Sequence, residues 1–238
     1  MDAKNFGGLI GQVCGPPLTS NVRAMITEEN LNTWEQLQSK LGSLIESLGE
    51  RSEKLLFRGQ SDSGWKIETT VERKLEPPIT LSKYYRFAYT AKPKLETFVN
   101  TTWDIPTPPQ YDRWLNEKDT LTYYDMPGYD YLAYLRHHGF PSPFIDWTDS
   151  PYIAAFFAFN NCTHADNDYV SVYCYLEHAN YGKVRSSNEA GIYVFGPYVK
   201  VHKRHVLQQS RYSICVELDK ENNQIFSNHE LVLVSCQV

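Results

Sequence analysis

The chain lacks the features of a secreted, membrane-spanning or zinc-stabilised protein. Its 238 residues contain five cysteines, none of them in a CxxC pair, so we expect neither a disulfide framework nor a zinc ribbon. No run of about 18 apolar residues occurs, and no basic lead-in precedes the apolar stretch at 9–13, so neither a membrane span nor a signal peptide is expected. These absences predict a cytoplasmic protein with reduced thiols and no membrane partner.

The sequence also lacks an excess of positive charge and the common catalytic motifs. Lysine and arginine number 23 against 28 acidic residues, and the net charge of −5 argues against a general nucleic-acid coat protein. A local basic groove within 183–211 stays open. GxSxG and HExxH motifs are absent, and His202 and His205 have no evident third ligand, so no metal is predicted.

Aromatic residues are abundant, with 17 Tyr, 11 Phe and 5 Trp. Such residues fill cores, and they also line pockets for flat rings. Many of them lie in the Pro- and Tyr-rich segment 76–130, which we interpret as an insertion or lid and as the place to look for an acceptor-binding surface. The Gly- and Pro-rich residues 1–24 are predicted to be a flexible arm, and residues 25–238 a single domain.

The hydrophobic periodicity changes from helical to strand-like along the chain. Early segments show apolar residues at steps of three or four, whereas later segments are short, β-branched and aromatic. Helices are predicted at 27–48, 131–138 and from 151 onward, and strands at 55–60, 144–148, 170–176, 192–195, 206–218 and 230–235. Early helices and late strands without βαβ alternation favour an α+β fold.

Polar residues interrupt or end several of the apolar strands. Arg58 follows Leu-Leu-Phe, and its guanidinium requires a phosphate, a carboxylate or a structural salt bridge. Asp146 lies between two apolar residues, and Thr148 precedes a helix start, an arrangement typical of an anion or ribose site or of ordinary capping. Gln208 and Glu230 in the late strands are further candidates, and an edge position in solvent is the alternative for Glu230.

Three blocks of the sequence resemble the FRG domain family. Residues 57–60, Phe-Arg-Gly-Gln, with Trp65 and Arg73 after them, are similar to the opening block of that family. Residues 137–158, HHGFPSPFIDWTDSPYIAAFFA, are similar to its second block, H-x-G-x-P-T-x-L-L-D-W-T-x-x-P-x-x-A-x-x-F-A. The resemblance extends from about residue 55 to about residue 215.

The third block departs from the family pattern. It resembles R-x-x-x-Q-x-G-x-F at Arg204, Gln208 and Tyr212, but Ser210 replaces the glycine. In the second block, Pro143 replaces the usual arginine.

The order of these motifs also resembles that of ADP-ribosyltransferases. The resemblance implies a split β-sheet flanked by helices and NAD as a substrate, with Arg58 on the phosphates or ribose and Thr148 positioning the site. It implies that Glu230, or else Gln208 or Gln209, supplies the third element. A carboxylate there would stabilise the oxocarbenium-like state formed when nicotinamide leaves.

The resemblance extends to binding residues and partners. It implies nucleotide-binding roles for Gly59, Gln60, His137, Gly139, Asp146, Trp147 and Tyr212. It also implies a toxin or phage-defence effector that modifies RNA, DNA, protein or a small molecule and is opposed by an antitoxin protein. The alternative is a non-catalytic nucleotide-binding or interaction module of the FRG family, and a metal-dependent hydrolase or nuclease is a third hypothesis.

Overall fold

A computed structural model describes residues 7–13, 26–48, 54–117, 126–160, 169–177, 190–196 and 203–230. The helices are α1 (Trp34–Leu48), α2 (Thr70–Lys74), α3 (Leu81–Val99), α4 (Pro108–Glu117), α5 (Tyr129–His137), α6 (Pro151–Asn160) and α7 (Lys203–Leu207). The strands are β1 (Gly7–Val13), β2 (Ile26–Leu31), β3 (Lys54–Gln60), β4 (Ile145–Thr148), β5 (Tyr169–Glu177), β6 (Gly191–Phe195), β7 (Ser210–Leu218) and β8 (Gln224–Phe226). The predicted α+β class is confirmed.

The strands form one sheet in the order β2-β1-β5-β3-β4-β7-β6, and β8 pairs with β7. β1 and β5 run parallel, and the other pairs are antiparallel. β3 and β4 share a single residue pair, Phe57 with Thr148, whereas β3 and β5 pair along seven residues, from Lys54 to Gln60 on β3. The sheet is therefore nearly divided between β3 and β4.

Helices cover one face of the sheet in two groups. α1 and α6 pack on β3 and β5, where Phe57 and Val172 are buried. α3 and α5 pack on β6 and β7, where Tyr193 and Ile214 are buried. Because Phe57 pairs with Thr148, both groups lie on the same face, which we call the helix face. The opposite face carries a third apolar cluster that includes Trp147, and we call it the Trp147 face.

The described part of the Tyr-rich segment contributes several side chains to the core. Tyr84, Tyr85, Tyr111 and Tyr131 are among the largest fully buried side chains of the described residues. The rings of Tyr85 and Tyr111 stack with centroids 3.8 Å apart, which joins α3 to α4. The hydroxyl groups of Tyr84, Tyr85 and Tyr131 donate to backbone carbonyls, as when Tyr131 donates to the carbonyl of Ala88 at 2.8 Å. Burial of this kind accounts for much of the aromatic excess.

Several sequence predictions agree with the structure. β3, β4, β5, β6, α5 and α6 lie within a few residues of their predicted positions. The predicted cap at Ser150 forms, since its hydroxyl accepts from the N–H of Ile153 at 3.4 Å. Cys174 and Cys215 are buried, and the other three cysteines lie outside the described residues.

Other predictions are wrong. Gly7–Val13, placed in the flexible arm, form β1 and pair with both β2 and β5, while the remainder of 1–24 lies outside the described residues. Residues 27–30, expected to cap α1, belong to β2, because pairing with β1 satisfies their backbone groups instead.

The late part of the chain also differs from the expected strands. Residues 203–207, which overlap the predicted strand 206–218, form the single-turn helix α7. Glu230 was expected to open a strand, but residues 229–230 are helical and 231–235 lie outside the described residues. No helix in the described ranges is long and apolar enough to cross a membrane.

Candidate functional site

Arg58 lies where β3 and β4 separate. Its side chain is half-buried, and its Nη1 donates to the backbone carbonyl of Asp146 at 3.0 Å. Its Nε is buried without a hydrogen-bond partner in the described part of the chain. Burial lowers the pKa of Arg58, and the charge of Asp146 partly offsets that effect. The guanidinium stays charged and has donors to offer.

Two further polar atoms close to Arg58 also lack described partners. Gln60 and Ser171 are paired residues of β3 and β5, so their side chains lie on the same face of the sheet. Arg58 lies two residues before Gln60 on β3, so its side chain lies on that face too, which is the Trp147 face. Gln60 Oε1 and Ser171 Oγ are both buried without partners among the described residues, although Gln60 Nε2 donates to the carbonyl of Lys66 at 3.3 Å. Arg58, Gln60 and Ser171 thus present a donor, an acceptor and a hydroxyl, and we call them the β3–β5 polar cluster.

Asp146 is held by a residue that the sequence reasoning did not select. The side chain of Arg136 on α5 donates from Nε to Asp146 Oδ1 at 2.6 Å, and its Nη2 pairs with Oδ2. Burial acts to raise the pKa of Asp146, but the charge and hydrogen bonds of Arg136 outweigh it and hold that pKa below its usual value. The position of Arg136 directly before the His-His-Gly motif was the available signal.

His137 and Tyr212 are joined on the helix face. Tyr212 Oη lies 2.8 Å from His137 Nε2 and 3.4 Å from His205 Nδ1. His137 is exposed, whereas Tyr212 is buried, and burial raises the pKa of Tyr212. The expected stacking of Tyr212 on a ligand is therefore wrong for this conformation, because its ring packs against Phe144 and Tyr129.

Thr148 organises the start of α6 and does not face Arg58. Its Oγ1 donates to the carbonyl of Gln208 at 2.7 Å and accepts from the N–H of Ser150 at 3.1 Å. Because Thr148 pairs with Phe57, its side chain lies on the helix face, whereas Arg58 lies on the Trp147 face. The structure therefore does not bring these two predicted elements into contact, and the described contact of Gln208 with Thr148 uses its backbone.

An ion pair at the same helix start was also missed from the sequence. Arg211 binds both carboxylate oxygens of Asp149, with Nε 3.0 Å from Oδ1 and Nη2 3.0 Å from Oδ2. Its Nη1 donates to the carbonyl of Gly196 at 2.7 Å. This pair fixes β7 and the end of β6 against the segment that follows Thr148.

Three other predicted binding residues have structural roles. Trp147 is buried, and its Nε1 donates to Ser213 Oγ at 2.8 Å, so it offers no open ring face. A Cβ on Gly59 would lie 1.9 Å from the carbonyl oxygen of Ala154, so this glycine permits the contact of β3 with α6. Gly139 ends α5 with a φ of +80° and has open space where a side chain would be.

Glu230 directly follows His229, a buried residue whose pKa is affected by Arg58. His229 is buried on the Trp147 face, with its Nε2 3.0 Å from Ser213 Oγ. Burial and the charge of Arg58 lower the pKa of His229 to about 3. Glu230 is half-buried, and its N–H donates to Asn228 Oδ1 at 2.7 Å. No described contact joins the Glu230 carboxylate to Arg58.

Residues 53–167 match the family model of the FRG domain, which supports assignment of this segment to the FRG family. The segment contains Arg58, Arg136 and Asp146, while His229 and Ser171 lie beyond it. No curated protein and no solved structure matches the chain. Within the described ranges, no three His, Cys, Asp or Glu side chains are grouped as metal ligands, and His202 lies outside those ranges.

Proposed function

We propose that this chain, with an FRG domain at residues 53–167, is an NAD-dependent ADP-ribosyltransferase whose dinucleotide lies against Arg58 at the β3–β4 separation. The observation that carries the proposal is the β3–β5 polar cluster, with its buried donor on Arg58 and buried acceptor on Gln60 that lack partners among the described residues. Leaving such groups unpaired costs about 1–3 kcal/mol each, so a polar ligand there would be stabilising.

The chemistry of the cluster fits the parts of NAD. The Arg58 guanidinium suits a pyrophosphate oxygen, and Gln60 Oε1 suits a ribose hydroxyl or an amide N–H. The near-division of the sheet at Phe57 and Thr148 is in keeping with the split sheet of ADP-ribosyltransferases. Trp147 and Tyr212 do not fit the expected stacking roles, since both are buried in the protein.

The proposed reaction also needs a carboxylate near the reacting ribose. Such a group stabilises positive charge that develops as nicotinamide leaves. We assign this role to Glu230, because its neighbour His229 is close enough to Arg58 for the Arg58 charge to lower the pKa of His229. The acceptor is proposed to be a macromolecule, RNA, DNA or protein, and an effector of this kind would act as a toxin or in phage defence under control of an antitoxin.

The test compares an Arg58→Ala variant with the wild-type protein. We expect at least about tenfold weaker NAD binding in calorimetry, because a charge-assisted hydrogen bond is lost, and loss of nicotinamide release in chromatography. Arg86→Ala is the matched control, since Arg86 is exposed and its partner, Asp112, belongs to α4. Equal NAD affinity for the wild type and Arg58→Ala, or no affinity in either, would overturn the proposal.

A second candidate function is a nucleotide-binding module without turnover. The observation that favours it is that Arg58 and Thr148 lie on opposite faces of the sheet. In the three-part catalytic site that the resemblance implies, these two side chains would act together. Wild-type protein that binds NAD with Arg58-dependent affinity, but releases no nicotinamide with RNA, DNA or cell lysate, would support this second function.

A further inference from the structure

A cavity lies between the loop before α4 and the start of α5, away from the β3–β5 polar cluster. Its volume is about 450 Å³, within the range of small-ligand sites. Residues that line it include Trp103, Asp104, Tyr129, Asp130 and Phe195. Four of these belong to the Tyr-rich segment and the first turn of α5.

Two aromatic walls of the cavity are fixed by other rings. Trp103 packs against Tyr131 and Tyr134, with ring centroids 5.2 and 4.8 Å apart. Tyr129 packs against Phe195 with centroids 5.3 Å apart. Flat, fixed aromatic walls favour a planar guest, because little conformational entropy is lost on binding.

Among the described residues that line the cavity, the charged side chains are carboxylates. Asp104 and Asp130 are both exposed, and Asp130 lies in the first turn of α5, where it offsets the positive end of the helix. Arg211 approaches the edge of the cavity at Gly196, but its guanidinium is bound to Asp149 and the Gly196 carbonyl. An anionic guest would therefore meet like charges, whereas a cation would meet opposite ones.

One of the residues that line the cavity, Tyr129, has a buried hydroxyl oxygen. The hydroxyl of Tyr129 has no hydrogen-bond partner in the described part of the chain. Burial raises the pKa of Tyr129, so the phenol stays neutral and can accept a hydrogen bond from a donor-only group. A guanidinium is such a group, since it is planar, cationic and rich in donors.

We infer that this cavity binds the guanidinium of an arginine side chain. Aromatic faces and carboxylates attract such a cation together, through cation–π and ion-pair contacts. Arg58 lies on the Trp147 face, whereas the walls of the cavity pack with the α3–α5 core on the helix face. The inference does not depend on the proposed NAD chemistry.

The experiment uses the full chain and a blocked Gly-Arg-Gly tripeptide as the probe. Titration is followed by ¹H–¹⁵N NMR and calorimetry against the same tripeptide with citrulline, which keeps the shape and removes the charge. We expect citrulline to bind at least about fivefold more weakly. Asp104→Asn and Tyr129→Phe should each weaken the arginine probe, whereas Glu46→Gln on the exposed surface of α1 should not.

Three results would contradict the inference. The first is equal affinity for the arginine and citrulline tripeptides, and the second is tighter binding of adenosine than of the arginine tripeptide. The third is displacement of the arginine tripeptide by NAD, because that result would assign the cavity to the dinucleotide site. Probe binding that persists in Arg58→Ala, even when NAD binding is absent, would show that the cavity acts independently. Loss of NAD binding alone therefore leaves this inference intact.

Discussion

Arg58 Nε, Gln60 Oε1 and Ser171 Oγ are buried on one face of the sheet, and each lacks a partner in the described part of the chain. Native proteins leave few such atoms unpaired, because desolvation is not offset. Their grouping on neighbouring residues of β3 and β5 is therefore more informative than any one of them. Arg58 was selected from the sequence as a charged residue after an apolar run, whereas Ser171, within the strand predicted at 170–176, was not selected.

Glu230 and Gln208 were, with Gln209, candidates for the third element of the site, and the surroundings of the first two differ. Gln208 contacts Thr148 through its backbone carbonyl, which a change of side chain leaves in place. Glu230 directly follows His229, and the charge of Arg58 contributes to the lowered pKa of His229. If the transferase proposal holds, Glu230→Gln should reduce nicotinamide release by at least about 100-fold with little change in NAD affinity, because the carboxylate acts mainly in the transition state.

Gln208→Ala is the matched control for that measurement. We expect nicotinamide release within about twofold of wild type, since a hydrogen bond to the backbone survives the substitution. A loss of release in Gln208→Ala with normal release in Glu230→Gln would reverse the assignment.

At the scale of elements, the contact of β3 with α6 sets the position of the site. Gly59 lies one residue before the end of β3. The backbone of α6 occupies the space where a Cβ on this residue would be. Only Asp149 and Ser150 separate Thr148 at the end of β4 from α6, so the contact of α6 with β3 also holds β4 against β3, although the two strands share one residue pair. A glycine in an FRG-type motif is thus explained by packing, not by contact with a ligand.

Gly59→Ala should therefore be strongly destabilising. The added Cβ would lie 1.9 Å from the carbonyl oxygen of Ala154 and 2.7 Å from the nitrogen of Ala158, both backbone atoms, so α6 must move. We expect the free energy of unfolding, measured with urea, to fall by about 3 kcal/mol or more. Gly42→Ala in α1 is the control, because its Cβ meets nothing within 4 Å.

The control has an expected direction of its own. Alanine has a higher helix propensity than glycine, so Gly42→Ala should leave stability unchanged or raise it by up to about 1 kcal/mol. Similar unfolding free energies for Gly59→Ala and the wild type would contradict the close approach of β3 and α6.

Elements with strong local signals could be predicted, and those fixed by distant pairing could not. α6 has a cap, a proline at its first position and an apolar body, and α5 ends at a glycine with positive φ. β1 and β2 carry no comparable signal, because Gly-rich and Glu-rich segments become strands through hydrogen bonds to partners far along the chain. The aromatic segment suggested a surface, but tertiary packing places its Tyr84, Tyr85 and Tyr111 in the core.

At the scale of the whole molecule, the site is assembled from distant segments. Arg58 on β3 meets the Asp146 carbonyl on β4, and Arg136 on α5 holds the Asp146 side chain. Ser213 on β7 joins Trp147 to His229 near the end of the described residues. Arg58 and Asp146 could be selected from the sequence as polar residues in apolar strands. Arg136 and His229 were not selected, since sequence patterns do not encode which faces meet.

This assembly makes the stability of the protein depend on pH through His229. Its pKa is lowered from 6.5 to about 3 by burial and by the charge of Arg58. Between these values the unfolded chain binds a proton that the folded protein does not, so stability falls as the pH falls from about 6.5 toward 3. One such group changes the free energy of unfolding by up to about 1.4 kcal/mol per pH unit.

His229→Gln should therefore flatten this dependence. Urea unfolding of the wild type and the variant between pH 7 and 5 should show a smaller slope in the variant, because its side chain does not titrate. His138→Gln, at an exposed position after α5, should keep the wild-type slope. If the variant is too unstable to measure, NMR of the wild type gives the same answer, since the His229 ring signals should not shift between pH 7 and 5. A His229 ring that titrates near pH 6.5 in the folded protein would mean that it is solvated and not buried beside Ser213.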